Sequence, residues 1–142
     1  MQLEISAEQH LLNAGVRITA VRLMIYKTIR QHFSNPFSLA DVEALLPTVD
    51  RSTLFRNLNT LTQGGLLHAV DDGTNAQKYC ICHCENHHQH TGHVHITCTQ
   101  CHHTYCLTTV EIPPVPLPAG FLPQEHEYIV KGVCRQCRNN EK

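Results

Sequence analysis

The chain has 142 residues, a formal net charge of −1, 16% charged residues and 42% hydrophobic residues. These values exclude a disordered chain and a uniformly basic nucleic-acid coat, and no apolar run is long enough to span a membrane. The first ten residues lack the basic flank and apolar segment of a secretory signal, so we expect a cytoplasmic protein with no membrane partner. The unusual feature is a content of 8 cysteines and 12 histidines, most of them after residue 79.

The cysteine-free part, residues 1–79, predicts four helices. Each helix begins at a side chain that can accept hydrogen bonds from N–H groups of the first turn. The expected capping residues are Ser6, Thr19, Ser38 and Asp50. The fourth helix, from residue 51 to about residue 62, has Leu54, Leu58 and Leu61 at helical spacing. Gly64 and Gly65 then end this helix.

Two strand-like stretches follow the fourth helix, at residues 66–71 and 77–82, with a polar turn between them. Short helices followed by such a hairpin are typical of a winged helix-turn-helix module, which commonly binds DNA. The outer face of the fourth helix has Arg51, Ser52, Phe55 and Arg56. Two alternatives stay open: a winged helix that docks only proteins, and a basic helix face that is simply solvated.

Two C-x2-C pairs form the strongest signal in the second half of the chain. They are Cys98 with Cys101 and Cys134 with Cys137. Each pair fits a tight turn that presents two thiolates, and two such turns complete a tetrahedral site. Because this site uses all four positions of the metal, the pattern predicts one structural zinc ion per monomer. The alternatives are disulfides, which belong to secreted chains, and four unrelated buried cysteines.

Further thiols and imidazoles surround these pairs. His93 and His95 alternate with aliphatic residues, which puts both imidazoles on one face of a strand. Cys80 and Cys82 alternate in the same way, and Cys106 follows the first C-x2-C pair. Mixed imidazole and thiolate ligands favour zinc over hard cations, and Fe²⁺ is also compatible. For each histidine taken singly, a solvated side chain is the alternative.

Four segments, in this order, resemble the motifs of one family. They are residues 15–22 (GVRITAVR), 51–58 (RSTLFRNL), 93–101 (HVHITCTQC) and 132–137 (GVCRQC). The corresponding family motifs are G-x-R-x-T-x-x-R, the recognition helix A-T-V-Y-R-x-L, H-x-H-x-x-C-x-x-C and a C-terminal cysteine pair. The chain is identified as a member of the ferric uptake regulator family of bacterial metal-dependent repressors, which includes zinc uptake regulators.

The resemblance implies an α+β fold with a winged-helix DNA-binding domain at residues 1–82. A small, β-rich α/β dimerisation domain would follow at residues 83–142 and contain the four-cysteine zinc site. The implied partners are a second copy of the chain, in a homodimer, and palindromic operator DNA. The residues expected to contact DNA are Arg17, Arg51, Ser52, Thr53, Phe55 and Arg56.

The resemblance also implies a second, regulatory Zn²⁺ or Fe²⁺ at the hinge between the domains. The expected sensory ligands are His68, Cys82, His93, His95 and Cys106. Two further residues, Cys80 and His90, are expected as substitutes. Because thiolate-rich ligation favours zinc, a zinc-responsive repressor of metal uptake genes is the leading interpretation. An iron- or peroxide-responsive regulator of the same family is one alternative, and a zinc-storage protein without DNA function is another.

The chain departs from the family pattern at several places. Phe55 replaces the usual tyrosine of the recognition helix, which removes a hydroxyl group but keeps an apolar surface for a thymine methyl group. Residues 112–120 contain four prolines where the family has a helix, so we expect a more β-rich domain. Residues 83–90 form a histidine-rich insertion of unassigned role. A zinc deaminase would need a P-C-x-x-C motif, which is absent, so we expect no enzymatic activity and no small-molecule substrate.

Overall fold

The computed structural model describes residues 5–71, 73, 76–81, 94–107, 110, 113–124 and 128–140. The chain divides into two compact units, Met1–His87 (unit 1) and His88–Lys142 (unit 2). The predicted boundary between residues 82 and 83 lies outside the described residues and stays a prediction. Within the described ranges, none of the helices has the length and apolarity that a membrane crossing requires.

The described part of unit 1 contains four helices and a three-stranded antiparallel sheet. In chain order the elements are α1 (Ala7–Asn13), α2 (Ala20–His32), β1 (Phe37–Ser38), α3 (Leu39–Leu45), α4 (Arg51–Gln63), β2 (Leu67–Val70) and β3 (Lys78–Ile81). Strands β2 and β3 form the predicted hairpin, and β1 pairs with the other edge of β3. This is the winged helix-turn-helix architecture predicted from the sequence, with β1 as an addition.

The predicted helix caps are present in the structure. Ser6, Thr19 and Asp50 each accept a hydrogen bond from a backbone N–H group of the first helical turn. Ser38 and Asp41 form a reciprocal capping box, with N···O distances of 2.9 Å and 3.2 Å. Each cap satisfies a backbone donor that has no acceptor within the helix. The polar residues identified in the sequence therefore set where these helices begin.

The inner face of α4 lies in the core of unit 1. Leu54, Leu58 and Leu61 have no exposed area and pack in one cluster with apolar residues of α1, α2, α3 and the sheet. Burying each leucine contributes about 1.5–3 kcal/mol, so this face determines which side of α4 lies against the core. Gly65, at φ +80°, then turns the chain from α4 into β2. The opposite face of α4 is consequently at the surface.

The described part of unit 2 contains three strands and one short helix. They are β4 (Val94–Cys98), β5 (Thr104–Leu107), β6 (Tyr128–Gly132) and α5 (Arg135–Asn139). Strand β4 is central, antiparallel to β5 and parallel to β6. Residues 113–118 adopt neither helix nor strand, as their prolines predict, and the Pro113 carbonyl accepts a 2.9 Å hydrogen bond from Tyr128 Oη. The predicted α+β fold with a β-rich second half is confirmed.

Candidate metal and nucleic-acid sites

The two C-x2-C pairs converge in unit 2. Cys98 ends β4 and Cys101 lies in the turn that follows, while Cys134 caps α5 and Cys137 lies within it. The four sulfur atoms lie within 4.8 Å of one another, and Cys101 Sγ is 3.8 Å from Cys134 Sγ. A tetrahedral zinc ion with Zn–S bonds of about 2.3 Å requires sulfur atoms about 3.8 Å apart. The four cysteines, none of which is in a disulfide, therefore fit a closed zinc site.

Backbone N–H groups orient the sulfur atoms of this cluster. Cys98 Sγ accepts three such hydrogen bonds, each at 3.4 Å, from Gln100, Cys101 and Cys134. Cys134 Sγ accepts a fourth, also at 3.4 Å, from the N–H group of Cys137. Hydrogen bonds from N–H groups favour the charged form of a sulfur ligand. The chain conformation thus both gathers the thiols and prepares two of them to bind a cation.

These contacts shift the pKa values of the thiols in opposite directions. The backbone N–H groups, first that of Cys101 and then that of Cys134, lower the pKa of Cys98 to about 5. The hydrogen bond between Cys137 and Cys134 and the loss of solvation raise the pKa of Cys137 to about 12. A divalent cation among the four sulfur atoms would favour the thiolate form of each. The chemistry of this donor set therefore fits zinc as well as its geometry does.

A second group of metal-ligating side chains lies on the other face of the unit 2 sheet. His95 on β4 is the cross-strand partner of Cys106 on β5, so the two side chains project from the same face. His95 is 7% exposed, and its Nε2 atom is buried. Cys98 projects from the opposite face, where it lines a groove together with Cys134. The His95–Cys106 pair is therefore separate from the four-cysteine cluster.

Unit 1 has a comparable pair on its hairpin. His68 on β2 lies directly opposite Cys80 on β3, so these two side chains also share a face. Cys80 is 1% exposed, and the Nε2 atom of His68 is buried. An adjacent imidazole and thiol are suitable ligands for a borderline-soft metal ion. Cys80, expected only as a substitute ligand, thus lies beside a residue of the main expected set.

The remaining expected ligands are Cys82, His90 and His93. All three lie outside the described residues, as does the histidine-rich insertion at residues 83–90. Their roles as ligands stay predictions from the sequence. Of the expected sensory set, the structure therefore pairs His95 with Cys106 and places His68 next to Cys80.

The outer face of α4 presents most of the residues expected to contact DNA. Among the expected contacts, the exposed residues are Arg17, Arg51, Ser52, Phe55 and Arg56. Arg51 forms a 2.8 Å ion pair with Glu43, and both side chains are exposed. Thr53 is half-buried, and its hydroxyl donates to the Asp50 carboxylate at 2.7 Å. Phe55 is 48% exposed, which is unusual for a phenylalanine and leaves its ring accessible to a partner.

Comparison with known proteins decides the family. The sequence profile described as "Ferric uptake regulator family" matches residues 13–115. The chain belongs to this family. A relative named ferric uptake regulation protein 1, from Mycolicibacterium fortuitum, is 30% identical over 96 residues, which are 64% of this chain and 54% of that protein. The match thus spans about half the length of this relative.

Solved structures of regulators share the fold. The ferric uptake regulator of Helicobacter pylori, described as having three functional metal-binding sites, has a TM-score of 0.67 at 14% identity, with 100% of both chains covered. A zinc uptake regulator in complex with zinc and DNA has a TM-score of 0.67 at 20% identity, covering 95% of this chain and 92% of that chain. These structures show a shared fold, and the profile match over residues 13–115 confirms the membership inferred from the motifs.

One contact joins the opening motif of this family member to α4, and sequence reasoning missed it. Arg22 Nε donates to Asn57 Oδ1 at 3.0 Å, and Arg22 Nη1 donates to the Arg17 carbonyl at 2.6 Å. Asn57 is 8% exposed on the otherwise apolar inner face of α4. An asparagine between Leu54 and Leu58 is the sequence signal for such a contact, because a buried amide needs a hydrogen-bond partner.

Proposed function

We propose that this chain is a transcriptional repressor that binds palindromic operator DNA as a homodimer and controls metal uptake genes. Residues 1–82 form its DNA-binding domain and residues 83–142 its dimerisation domain. The outer face of α4 carries the proposal, because exposed arginines and an exposed phenylalanine project together from a winged helix. Such a face supplies phosphate contacts, base-edge contacts and an apolar surface for a thymine methyl group. Family membership supports the same function, which involves no catalysis.

An exposed apolar surface on unit 2 supports the homodimer. Seven large hydrophobic side chains of this unit are 40–85% exposed: Val110, Val115, Leu117, Phe121, Leu122, Val130 and Val133. Large apolar side chains exposed in such number are candidates for burial in a protein–protein interface. In a two-fold dimer both protomers contribute the same surface, and two recognition helices then match the two halves of a palindrome.

The four-cysteine cluster is proposed to hold one structural zinc ion per monomer. The sulfur spacing and the N–H donors to Cys98 and Cys134 support this assignment. Zinc bound there would cross-link the end of β4 to α5, so its binding free energy would contribute to the folding of unit 2.

A second metal ion, proposed to be zinc, regulates DNA binding. Its ligands come from the set predicted by the resemblance: His68, Cys82, His93, His95 and Cys106, with Cys80 and His90 as substitutes. The pairs His95–Cys106 and His68–Cys80 support this set, because each offers an imidazole and a thiol on one sheet face. Such donors favour zinc, and Fe²⁺ is the alternative. A metal ion that binds more tightly to the DNA-binding state of the protein shifts the population toward that state, so metal binding and DNA binding are coupled.

Metal content and DNA affinity, measured together on the full chain before and after mild chelation, test this function. We expect chelation to remove the regulatory ion and abolish operator binding while the structural zinc stays in place, and we expect added zinc to restore binding. Restoration by Fe²⁺ alone would identify the iron-responsive alternative. Loss of binding when the Fe²⁺-loaded chain, but not the zinc-loaded chain, is treated with hydrogen peroxide would identify the peroxide-responsive one. If no duplex sequence is enriched from a random pool at any metal loading, zinc storage is the better interpretation.

Substitution of the recognition-helix side chains is expected to weaken operator binding. Arg56→Ala and Phe55→Ala should each lower the affinity roughly 10–100-fold, because each removes contacts worth about 1–3 kcal/mol at a base edge or methyl group. Metal content and dimerisation should not change. Gln63→Ala, at the C-terminal end of the same helix, is the control, since N-terminal residues of a recognition helix read the bases. Unchanged affinity in both variants would place the DNA-binding surface elsewhere.

A further inference from the structure

We propose that Arg22 and Asn57 are positioning residues that hold the recognition helix in the orientation required for base recognition. This inference rests on the proposed DNA-binding function. Arg22 on α2 contacts Asn57 on α4 through a 3.0 Å hydrogen bond and the Arg17 carbonyl through a 2.6 Å hydrogen bond. Asn57 Nδ2 in turn donates to the Thr53 carbonyl at 2.8 Å. The network therefore connects Arg17, one of the residues expected to contact DNA, to the N-terminal half of α4.

The chemistry of the network defines its geometry. A guanidinium group only donates hydrogen bonds and a backbone carbonyl only accepts them, so the Asn57 amide has one orientation that satisfies both neighbours. Asn57 is 8% exposed and Arg22 is half-buried, so water competes less for the bond between these two side chains than it would at the surface. The planar guanidinium holds its two acceptors in fixed directions, which the ammonium group of a lysine cannot do. Arg22 therefore forms a hydrogen-bonded link of defined geometry between α2 and α4.

A link at this position affects the recognition of operator sequence more than the affinity for DNA in general. The inner face of α4 packs through leucines, whose burial opposes removal from the core but, being non-directional, defines the rotation of the helix less sharply than a hydrogen bond does. Phe55 and Arg56 adjoin Asn57 on the same helix, so a rotation of α4 displaces both from the base edges that they are proposed to contact. Phosphate contacts from flexible arginine side chains adapt to such shifts. Loss of this link should therefore lower the affinity for operator DNA and leave the affinity for unrelated DNA nearly unchanged.

Full-length Arg22→Lys, Asn57→Ala and the double variant test the inference against duplexes selected by the zinc-loaded parent and against scrambled duplexes of equal length. We expect roughly tenfold weaker operator binding in each single variant, in line with the loss of a hydrogen bond to a charged group. Binding to scrambled DNA should change less than about twofold, and the salt dependence of binding should keep its slope. The operator affinity of the double variant should be no lower than that of the single variant that binds more weakly, because both changes break the same contact. Lys27→Gln, which removes a charge from the same helix, should bind both duplexes like the parent.

Three results from the variants, and one from the parent, would overturn the inference. A uniform loss on both duplexes with a smaller salt slope would make Arg22 a phosphate contact. Parent-like operator binding by Arg22→Lys and Asn57→Ala would show that the leucines alone orient α4. A fall in thermal stability that accounts for the whole binding loss, seen as a reduced active fraction with unchanged operator preference, would make the contact merely structural. If the parent itself selects no sequence from random duplexes, the proposed function fails and this inference fails with it.

Discussion

Cys134→Ser is expected to release the proposed structural zinc from unit 2 and to unfold that unit within the full chain. Among the residues that the structure describes, the buried hydrophobic side chains of unit 2 are Val94 and Cys98, so its apolar core contributes little. Structural zinc in small domains binds with about 10–16 kcal/mol of apparent free energy, and that energy is also folding free energy. A site that loses one of four thiolates cannot retain this contribution. Zinc content, thermal denaturation and the molecular mass in solution measure the effect.

Serine is an informative replacement because it separates two roles of Cys134. The Cys134 side chain caps α5 by accepting a hydrogen bond from the N–H group of Cys137. Serine is itself a good helix cap, so the variant preserves this contact and removes only the thiolate ligand. Cys84→Ser, which removes a thiol outside the four-cysteine set, is the matched control and should keep the zinc content of the parent. A Cys134→Ser chain with parent-like zinc content, stability and dimerisation would refute the four-thiolate assignment.

Local physical rules predict most of unit 1 from its sequence. The caps at Ser38 and Asp50 involve backbone groups three residues away, so the sequence contains both partners of each contact within one helical turn. Strand β1 could not be predicted in this way. Its two residues, Phe37–Ser38, are too few to show any alternation, and they become a strand only by pairing with Tyr79 and Lys78. Distant pairing, not local preference, creates this element.

The two kinds of metal-ligating cluster differ in the same respect. The C-x2-C spacing predicts that the thiols converge, because each pair lies within one turn. The helix around Cys137 could not be predicted, because its 5 residues are too few to show a helical apolar pattern. Which cysteine lies beside His68 depends on the register of the two strands. Cys80 and Cys82 are two residues apart in the sequence, so in a strand a two-residue shift of register would exchange them. The observed register puts Cys80 opposite His68, a choice that no local pattern determines.

His95→Ala is expected to abolish the proposed response of DNA binding to zinc while leaving the proposed structural zinc and homodimer in place. The two sites are separable because His95 and Cys98 project from opposite faces of β4, so removal of the imidazole leaves the four-thiolate face intact. Loss of a direct ligand should weaken the regulatory site by at least the 10–100-fold that loss of an outer-shell partner costs. DNA affinity with and without added zinc, together with the zinc content per chain, measures this effect.

Because His95 is buried, its replacement by alanine also leaves a small cavity, and a second variant is needed to separate packing from ligation. Cys106→Ser provides it, since serine keeps nearly the volume of the half-buried cysteine and removes the soft sulfur ligand. We expect this variant to lose the zinc response without the stability loss of His95→Ala. His103→Ala, at an exposed histidine of the same unit, should respond to zinc like the parent. If the His95 and Cys106 variants both keep a parent-like response, this pair does not bind the regulatory metal, and the histidines of residues 83–93 become the ligands to test next.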